Sequence, residues 1–459
     1  MTTPSLNRVS PSAEVSLIQR VFSASNIVLF LVCLMYGLTY IDRINVNTAS
    51  LVFASPKELK LDPKHLAWVF SAFGWAYLAL QVHGGWMSDR FGARRTLSVC
   101  GVIWAGATIM MGLASGFTMM IVARVILGLG EGATFPTATR ALSDWAPPSL
   151  RGFVQGITHA FSRLGNTLTP PLVAWLIWKT SWRGSFLILG FVSLIWALVW
   201  WVYFRDDPAQ HSGITSQELQ KLPSHASRMA RTKEPVPWGA LFKRISPVTA
   251  VYFCYGWTLW LYLTWLPQYF KNTYNLDLKK SALFSAGVFL GGVLGDTLGG
   301  IVSDYILHRT GNRNRARRDI VMVCFMASAA FMAPVIVVGL RASAGLITPA
   351  TMSRHMNMTA LCLSAAFFFA ECTIGPFWAI PMDIAPRYSG AASGIMNIGS
   401  ALAAAVSPLV AGYVIAWTKN YTLPFIGSMA LLLLGVVIAF WMKPNEPLAG
   451  TEVVERPAV

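Results

Sequence analysis

Apolar runs of about 20 residues recur along this chain, and each is long enough to cross the ~30 Å hydrocarbon core of a bilayer as a helix. Only 12% of the residues are charged, whereas soluble proteins carry roughly 25%. The sequence therefore predicts an all-α polytopic membrane protein with twelve transmembrane helices. We place these spans at 27–50, 66–87, 96–115, 118–142, 150–178, 184–204, 248–270, 281–305, 319–340, 356–382, 388–418 and 421–442.

The longest polar segment between spans is 205–247, which holds Pro208, Pro223, Pro235 and Pro237 together with charges of both signs. Such a composition is typical of a linker. The linker divides the chain into two six-helix halves, 27–204 and 248–442. We expect residues 1–26 and 443–459 to be polar tails.

A Gly-Gly-x-x-Ser-Asp pattern ends the second span, from Gly84, and recurs at the end of the eighth span, from Gly299. An arginine-rich loop follows each copy. Repetition at the same point of a six-span unit is typical of transporters whose substrate site lies between two halves near the middle of the membrane. Short loops rich in Lys and Arg tend to face the cytoplasm. We therefore predict a multi-pass protein of the inner (plasma) membrane with both termini cytoplasmic.

The net charge of +16 comes largely from short loops between apolar runs, so it indicates membrane topology and no nucleic-acid partner. No polar segment is long or distinctive enough for a catalytic domain, which argues against an enzyme. Neither a metal nor a cofactor is expected, because the cysteines are isolated inside apolar runs. They are Cys33, Cys100, Cys254, Cys324, Cys362 and Cys372.

Several ionisable residues fall inside the predicted spans. Each costs ~2.5–3.5 kcal/mol on insertion scales, so each should face a partner or a wet cavity. Arginines outnumber acids in the first half, which favours an anionic substrate held by arginine. Asp296 and Glu371 of the second half either carry protons or pair within that half. The first-half residues are Asp42, Arg43, Arg124, Glu131, His159 and Arg163.

Helical spacing groups these residues with other polar side chains into stripes. A structural ion pair is an alternative for any single residue, but several stripes together indicate one shared polar cavity. Trp260 and Trp378 either line that cavity or serve as interfacial and packing aromatics. The stripes are Tyr36, Tyr40, Arg43 and Asn47 in span 1, Arg124 and Glu131 in span 4, and Gln155, His159, Arg163 and Asn166 in span 5.

The stretch GGWMSDRFGARR from Gly84 predicts a gating element. Gly85 allows two helices to approach closely, and Asp89 lies at a helix end where it can meet an arginine or a helix N-terminus. This stretch resembles the signature between the second and third spans of the major facilitator superfamily. The predicted gating residues are Gly85, Asp89, Arg90, Arg94 and, in the second copy, Asp304.

The segments YIDRINVN at Tyr40–Asn47 and RVILGLGEG at Arg124–Gly132 resemble the anion:cation symporter family within that superfamily. The resemblance implies proton-coupled symport of a small organic anion, such as a sugar acid, by alternating access. It implies proton coupling through Asp42, Glu131 and Arg124. The candidate anion-binding residues are Arg43, Tyr40, Asn47, Tyr77, Gln81, His159, Arg163, Trp260, Trp378 and Asn397.

The sequence departs from many sugar-acid carriers at His159 and Arg163, where small or amide residues are common. The extra cation favours a more highly charged or differently shaped anion. The expected partners are this anion, protons and the lipid bilayer, and the chain is expected to be a monomer. The alternatives are a proton-driven efflux antiporter and a membrane-embedded sensor or enzyme.

Overall fold

The computed structural model describes residues 23–55, 57–147, 151–222, 236–385 and 388–448. Within these ranges the chain is built of helices that cross a bundle in alternating directions. The first half contains seven of them. They are α1 (Ala24–Phe53), α2 (Pro63–Phe91), α3 (Ala93–Gly112), α4 (Phe117–Gly132), α5 (Thr134–Trp145), α6 (Arg151–Lys179) and α7 (Trp182–Tyr203).

The rest of the described chain follows the same plan, after one short helix in the linker, α8 (Ser216–Lys221). The helix of the seventh span begins at Trp238, ten residues before the expected start at 248. A π-helical turn at Asn314–Asp319 precedes α11. The helices are α9 (Trp238–Tyr274), α10 (Leu278–Thr310), α11 (Ile320–Ser343), α12 (Pro349–Glu371), α13 (Ile374–Ile384), α14 (Ser389–Thr418) and α15 (Leu423–Ala439).

The predicted membrane fold is confirmed. Among the described residues, eight segments are long and apolar enough to cross a membrane. The helices α2, α6 and α9 are also long, at 29, 29 and 37 residues, but carry more polar side chains. The apolar helix α15 is shorter. The eight segments already include the joined pairs α4–α5 and α12–α13. With α2, α6, α9 and α15 they make twelve spans in two halves.

Two predicted spans, the fourth and the tenth, are each broken into two helices. Both breaks follow a buried glutamate and precede a proline five residues after it: Glu131 and Pro136 in one, Glu371 and Pro376 in the other. Proline has no N–H to donate to the carbonyl four residues earlier, so the helical ladder is interrupted there. Pro376 thus marks a break between two helices, α12 and α13.

We call the face of the bundle at which α1 begins and α15 ends the terminal face, and the opposite one the distal face. The two halves pack closely in the distal part of the bundle, where small residues and hydrogen bonds join α1 to α9 and α2 to α14. We call these contacts the distal seal. They include Asn47 Nδ2 donating to the Leu263 carbonyl (2.7 Å), Gln268 Nε2 donating to Ser50 Oγ (3.0 Å), and Gly412 against Ala67.

Candidate substrate-binding site

A buried ion pair joins α1 to α4 at the centre of the first half. Arg43 Nε donates to Glu131 Oε2, and the two side chains are 3% and 0% exposed. Arg43 Nη2 and Glu131 Oε1 are also buried, and neither has a hydrogen-bond partner among the described residues. The pair therefore keeps one donor and one acceptor available to a ligand.

Four aromatic rings surround the Arg43 guanidinium, with their centroids 4.8–5.2 Å from Cζ. Their π faces attract the cation and keep it from bulk water. The cage thus holds a charged donor in an apolar wall, which suits an anion with a carbon skeleton. The rings belong to Tyr40, Phe73, Tyr77 and Phe135.

Asp42 points away from this cage. Its carboxylate accepts a hydrogen bond of 2.6 Å from Ser193 of α7, and it lines a small cavity together with Arg124. Arg124 donates from Nε to the Val69 carbonyl (3.1 Å). The predicted coupling residues therefore lie in two places. Glu131 contacts Arg43 in the aromatic cage, whereas Asp42 lies beside Ser193 and Arg124, away from the cage.

Arg163 of α6 forms ion pairs with the other half. Its Nε lies 3.0 Å from Asp296 Oδ2 of α10, and its Nη2 lies 3.0 Å from Glu371 Oε2 of α12. The hydroxyl of Tyr255 donates 2.8 Å to Glu371 Oε1. Pairing of the two acids within their own half was one alternative from the sequence. The structure instead supplies their cation from the first half.

Aromatic residues of both halves meet beside these charges. The His159 ring lies 5.6 Å from Tyr36 and 5.7 Å from Trp378 of the other half, between centroids. Trp260 lies 6.0 Å from Phe73. The structure therefore brings the predicted residues on α1, α2, α6, α9 and α13 to one centre. Asn397 is half-buried on α14.

Other predicted residues lie elsewhere. Asn47 belongs to the distal seal. The side chains of Gln81, Gly85 and Asp89 lie outside the described part of the chain, so their roles stay predictions. Arg90 is exposed on α2.

The gating prediction for Arg94 and Asp304 also stays untested, although both have defined contacts. Arg94 Nε donates 2.8 Å to the Trp201 carbonyl. Asp304 lies 3.0 Å from the buried Arg317, which also pairs with Asp383 at 3.2 Å. These contacts tie helix ends together at the terminal face.

Four residues of the centre escaped the sequence analysis: Phe73, Phe135, Ser193 and Tyr255. A signal existed for Phe73, which is four residues before Tyr77 and so shares its helix face. Phe135 lies four residues after Glu131 in the fourth span, but it is apolar and so belonged to no polar stripe. Ser193 and Tyr255 lie in spans for which no polar stripe was identified. Among the described residues, no group of three or more His, Cys, Asp or Glu side chains is arranged to hold a metal ion.

A comparison with protein families decides the identity of the fold. The model of the Major Facilitator Superfamily matches residues 32–407. The chain belongs to the major facilitator superfamily. Its members and the relatives below are transporters, so this is a multi-pass membrane transporter and not an enzyme.

The similar proteins include several anion carriers. A probable sulfoacetate transporter of Cupriavidus necator is 44% identical over 91% of this chain and 94% of its own. The hexuronate transporter of Bacillus subtilis is 27% identical, covering 94% and 98%. The D-galactonate transporter of Escherichia coli is 27% identical, covering 86% and 90%. The resemblance to anion:cation symporters is thereby confirmed.

Solved structures agree on the fold. A bacterial homologue of the human lysosomal transporter Spinster, in an inward-facing and unoccupied conformation, superposes with a TM-score of 0.69 at 17% identity. The match covers 91% of this chain and 97% of that one.

Proposed function

We propose that this transporter carries a small organic anion together with protons by alternating access. The observation that carries the proposal is the Arg43–Glu131 pair, a buried guanidinium with an unused nitrogen beside a buried carboxylate. Relatives named for sulfoacetate, hexuronate and galactonate support an organic anion as substrate. The free Nη2 of Arg43 is the donor that the anion would meet, in a wall of four rings.

The charges of the centre favour proton coupling. Near the middle of the spans, the described residues place three arginines (Arg43, Arg124 and Arg163) against four carboxyl groups (Asp42, Glu131, Asp296 and Glu371). If all seven are ionised, the net charge is 3 − 4 = −1. Like charges in a medium of low dielectric repel strongly, so an added anion requires that carboxyl groups become protonated.

Glu131 is the carboxyl group that the anion would displace. When an anionic oxygen takes the place of Glu131 at Arg43, the glutamate loses its counter-ion. Burial then disfavours its charged form, and it takes up a proton. The anion and the proton would thus bind together and leave together. Asp42, beside Ser193 and Arg124, is the candidate for a further proton site inside the first half.

Alternating access would proceed by rocking of the two halves about the central site. In the described arrangement the distal seal joins the halves, and opening it would admit solvent from the distal face. Arginine-rich loops follow spans 2 and 8 at the terminal face. We therefore assign that face to the cytoplasm. The protein would lie in the inner membrane and act as a monomer.

Accumulation in proteoliposomes tests the proposal. A pH gradient, alkaline inside, should drive labelled glucarate, gluconate or sulfoacetate above its equilibrium level, and a protonophore should abolish this. A cationic drug should not exchange for protons, because arginines line the centre. Uptake of none of these anions, or uptake indifferent to the pH gradient, would refute the proposal.

A further inference from the structure

We propose that the substrate is a small dianion with two acidic groups, and that Arg163 binds the second group after releasing Glu371 or Asp296. This inference rests on the proposed function, because it assumes that Arg43 binds the first acidic group. It adds the charge class of the substrate and a second anion subsite at the boundary between the halves.

The first argument is the state of Arg163 itself. Its side chain is 9% exposed and already meets two carboxyl groups from the other half. Its Nη1 is buried and has no hydrogen-bond partner among the described residues. A guanidinium presents five donors in a fork that matches carboxylate and sulfonate oxygens. Arg163 is thus equipped for an anion, and the ion pairs to Asp296 and Glu371 occupy that capacity in the described arrangement.

The second argument is the position of Arg163 relative to Arg43. Helices α1 and α6 touch at Gly37 and Gly165, where a Cβ on Gly165 would lie 2.7 Å from the Gly37 carbonyl oxygen. Arg163 precedes this crossing by two residues, and Arg43 follows it by six. At 1.5 Å per residue, their backbones are about 12 Å apart along the helices. We infer that a small two-headed molecule placed between these helices contacts both guanidinium groups.

Tyr40 lies between the two arginines. Its ring is 4.9 Å from Arg43 Cζ, and its Cβ lies 3.3 Å from the position of a Cβ on Gly165, two residues after Arg163. The other titratable groups near Arg163 are His159 on its own helix, Tyr252 and Tyr255 on α9, and the two acids on α10 and α12. Asp296 and Glu371 are the acidic side chains in this group. A second anionic head must therefore replace one of these two acids at Arg163.

The third argument is the balance of charge between the halves. A monoanion at Arg43 leaves the cross-half ion pairs intact. A dianion replaces carboxylates at both arginines: Glu131 at Arg43, and Glu371 or Asp296 at Arg163. Each displaced carboxylate forms an O–H bond with a proton from solution. Two negative charges enter with two protons, so the net charge of the centre does not change.

Calorimetric binding to the purified full chain in detergent tests the subsite. The probes are two matched pairs: sulfoacetate with its monoanionic amide, and glucarate with gluconate. Wild type should bind the dianion at least about tenfold more tightly in one pair, or roughly 1.4 kcal/mol. In Arg163→Gln that preference should vanish, while monoanion affinity stays within about threefold, or roughly 0.65 kcal/mol.

Two further variants keep the outcome interpretable. Arg163→Gln leaves Glu371 unpaired, so Arg163→Gln with Glu371→Gln supplies a centre without that uncompensated charge. It should show the same loss of preference. Arg183→Gln removes an arginine that pairs with Glu58 near the protein surface, and it should bind like wild type. Melting temperatures confirm that each variant is folded.

The results separate the two proposals. Equal weakening of monoanions and dianions in Arg163→Gln would make Arg163 a structural pair and overturn the second subsite. Equal affinity of wild type for both members of each pair would also overturn it, yet would leave anion transport standing. Absence of binding for all four probes would defeat the proposed function along with this inference.

A transport measurement gives an independent answer. Dianion uptake with two protons moves no net charge, so an imposed membrane potential should leave sulfoacetate or glucarate uptake unchanged at fixed pH. Uptake with one proton would move one negative charge inward and would respond to the potential. That response would contradict the proposed exchange at Arg163.

Discussion

Asp42 and Arg43 are neighbours in the chain, yet their side chains enter different compartments of the bundle. Arg43 meets Glu131 inside the aromatic cage, whereas Asp42 accepts a hydrogen bond from Ser193 beside Arg124. Successive residues of a helix project about 100° apart, so one turn of α1 serves both compartments. Substitutions at these two positions should therefore have different consequences for anion binding.

Arg43→Ala should lower anion affinity at least about 30-fold, or roughly 2 kcal/mol, because the anion loses its charged donor. Asp42→Asn should leave affinity within about threefold, since Asp42 lies outside the cage. Calorimetry in detergent measures both. Arg43→Ala also strands Glu131, so the double variant Arg43→Ala with Glu131→Gln serves as the control for stability. Arg43→Ala binding as wild type does would exclude Arg43 from the site.

With a monoanion such as gluconate, Glu131→Gln should keep anion exchange and lose accumulation driven by a pH gradient. Glutamine resembles the protonated acid, so the variant can bind and return with substrate but cannot release a proton. Counterflow and pH-driven uptake on one proteoliposome preparation separate these activities. Glu58→Gln, at a carboxylate near the surface, is the matched control. If Glu131→Gln loses both activities together, the glutamate is a structural partner of Arg43 only.

Gly412→Ala should weaken the distal seal. Its new Cβ would overlap Ala67 and approach the Pro63 carbonyl, and such overpacking costs about 1–3 kcal/mol. The reporter is Ser50→Cys, at a buried position of the seal, in a background without native cysteines. Its thiol reacts with an impermeant maleimide when the seal opens. Labelling from the distal side should rise roughly fivefold or more.

Gly427→Ala provides the matched control for that experiment. No heavy atom lies within 4 Å of a Cβ added there, so labelling of the reporter thiol should match that in the parent. Equal labelling in Gly412→Ala and Gly427→Ala would show that the contact does not contribute to the seal.

Arg317→Gln should destabilise the terminal face while anion affinity is kept. Arg317 is buried and joins Asp304 of α10 to Asp383 of α13. Its loss leaves the largely buried Asp383 with the longer ion pair of 3.5 Å to the exposed Arg313, and weaker pairing of a buried charge is destabilising. The melting temperature should fall by at least about 3 °C relative to Arg318→Gln, which removes an arginine paired with its neighbour Asp319. Equal melting temperatures would argue against a structural role.

The start of the linker packs against the first half through His211, whose ring contacts Trp145 and Tyr203. Acidification should weaken this docking. Burial against Trp145 and Tyr203, reinforced by the nearby Arg205, lowers the pKa of His211. The docked state therefore binds fewer protons than the undocked state, and docking weakens as pH falls below about 6.5. The Gly213 amide, which donates 3.1 Å to His211 Nδ1, should lose protection from hydrogen exchange.

The Ala209 amide is the internal reference for that measurement, because it donates to Asp207. The ratio of the two exchange rates removes the intrinsic effect of pH. A ratio that stays constant between about pH 7.5 and 5.5 would mean that protonation of His211 does not affect docking.

Hydropathy suffices to predict the spans, because a bilayer fixes both the length and the apolar character of a helix that crosses it. It does not reveal the breaks after Glu131 and Glu371, since a segment of sufficient mean hydropathy continues across each break. The spacing of each glutamate from Pro136 or Pro376 was visible in the sequence. Its meaning became clear only once the structure showed that both glutamates are buried and that each is followed by a helix break.

Pairing between helices could not be predicted from the sequence. Arg163 is 133 residues from Asp296 and meets it only because the two halves face each other. Stripes identify which face of a helix is polar, but not which face of another helix it meets. For the same reason, the structure was needed to show that Phe135 and Tyr255 belong to the central site.

The contact between Gly412 and Ala67 also bears on inhibition. While the distal seal is closed, a bulky and membrane-impermeant competitor applied from the distal side has no path to Arg43. Such a blocker acts only on the opposite conformation, and its potency falls as the sealed state becomes more populated. Sidedness of block is therefore a pharmacological readout of how the two conformations are balanced.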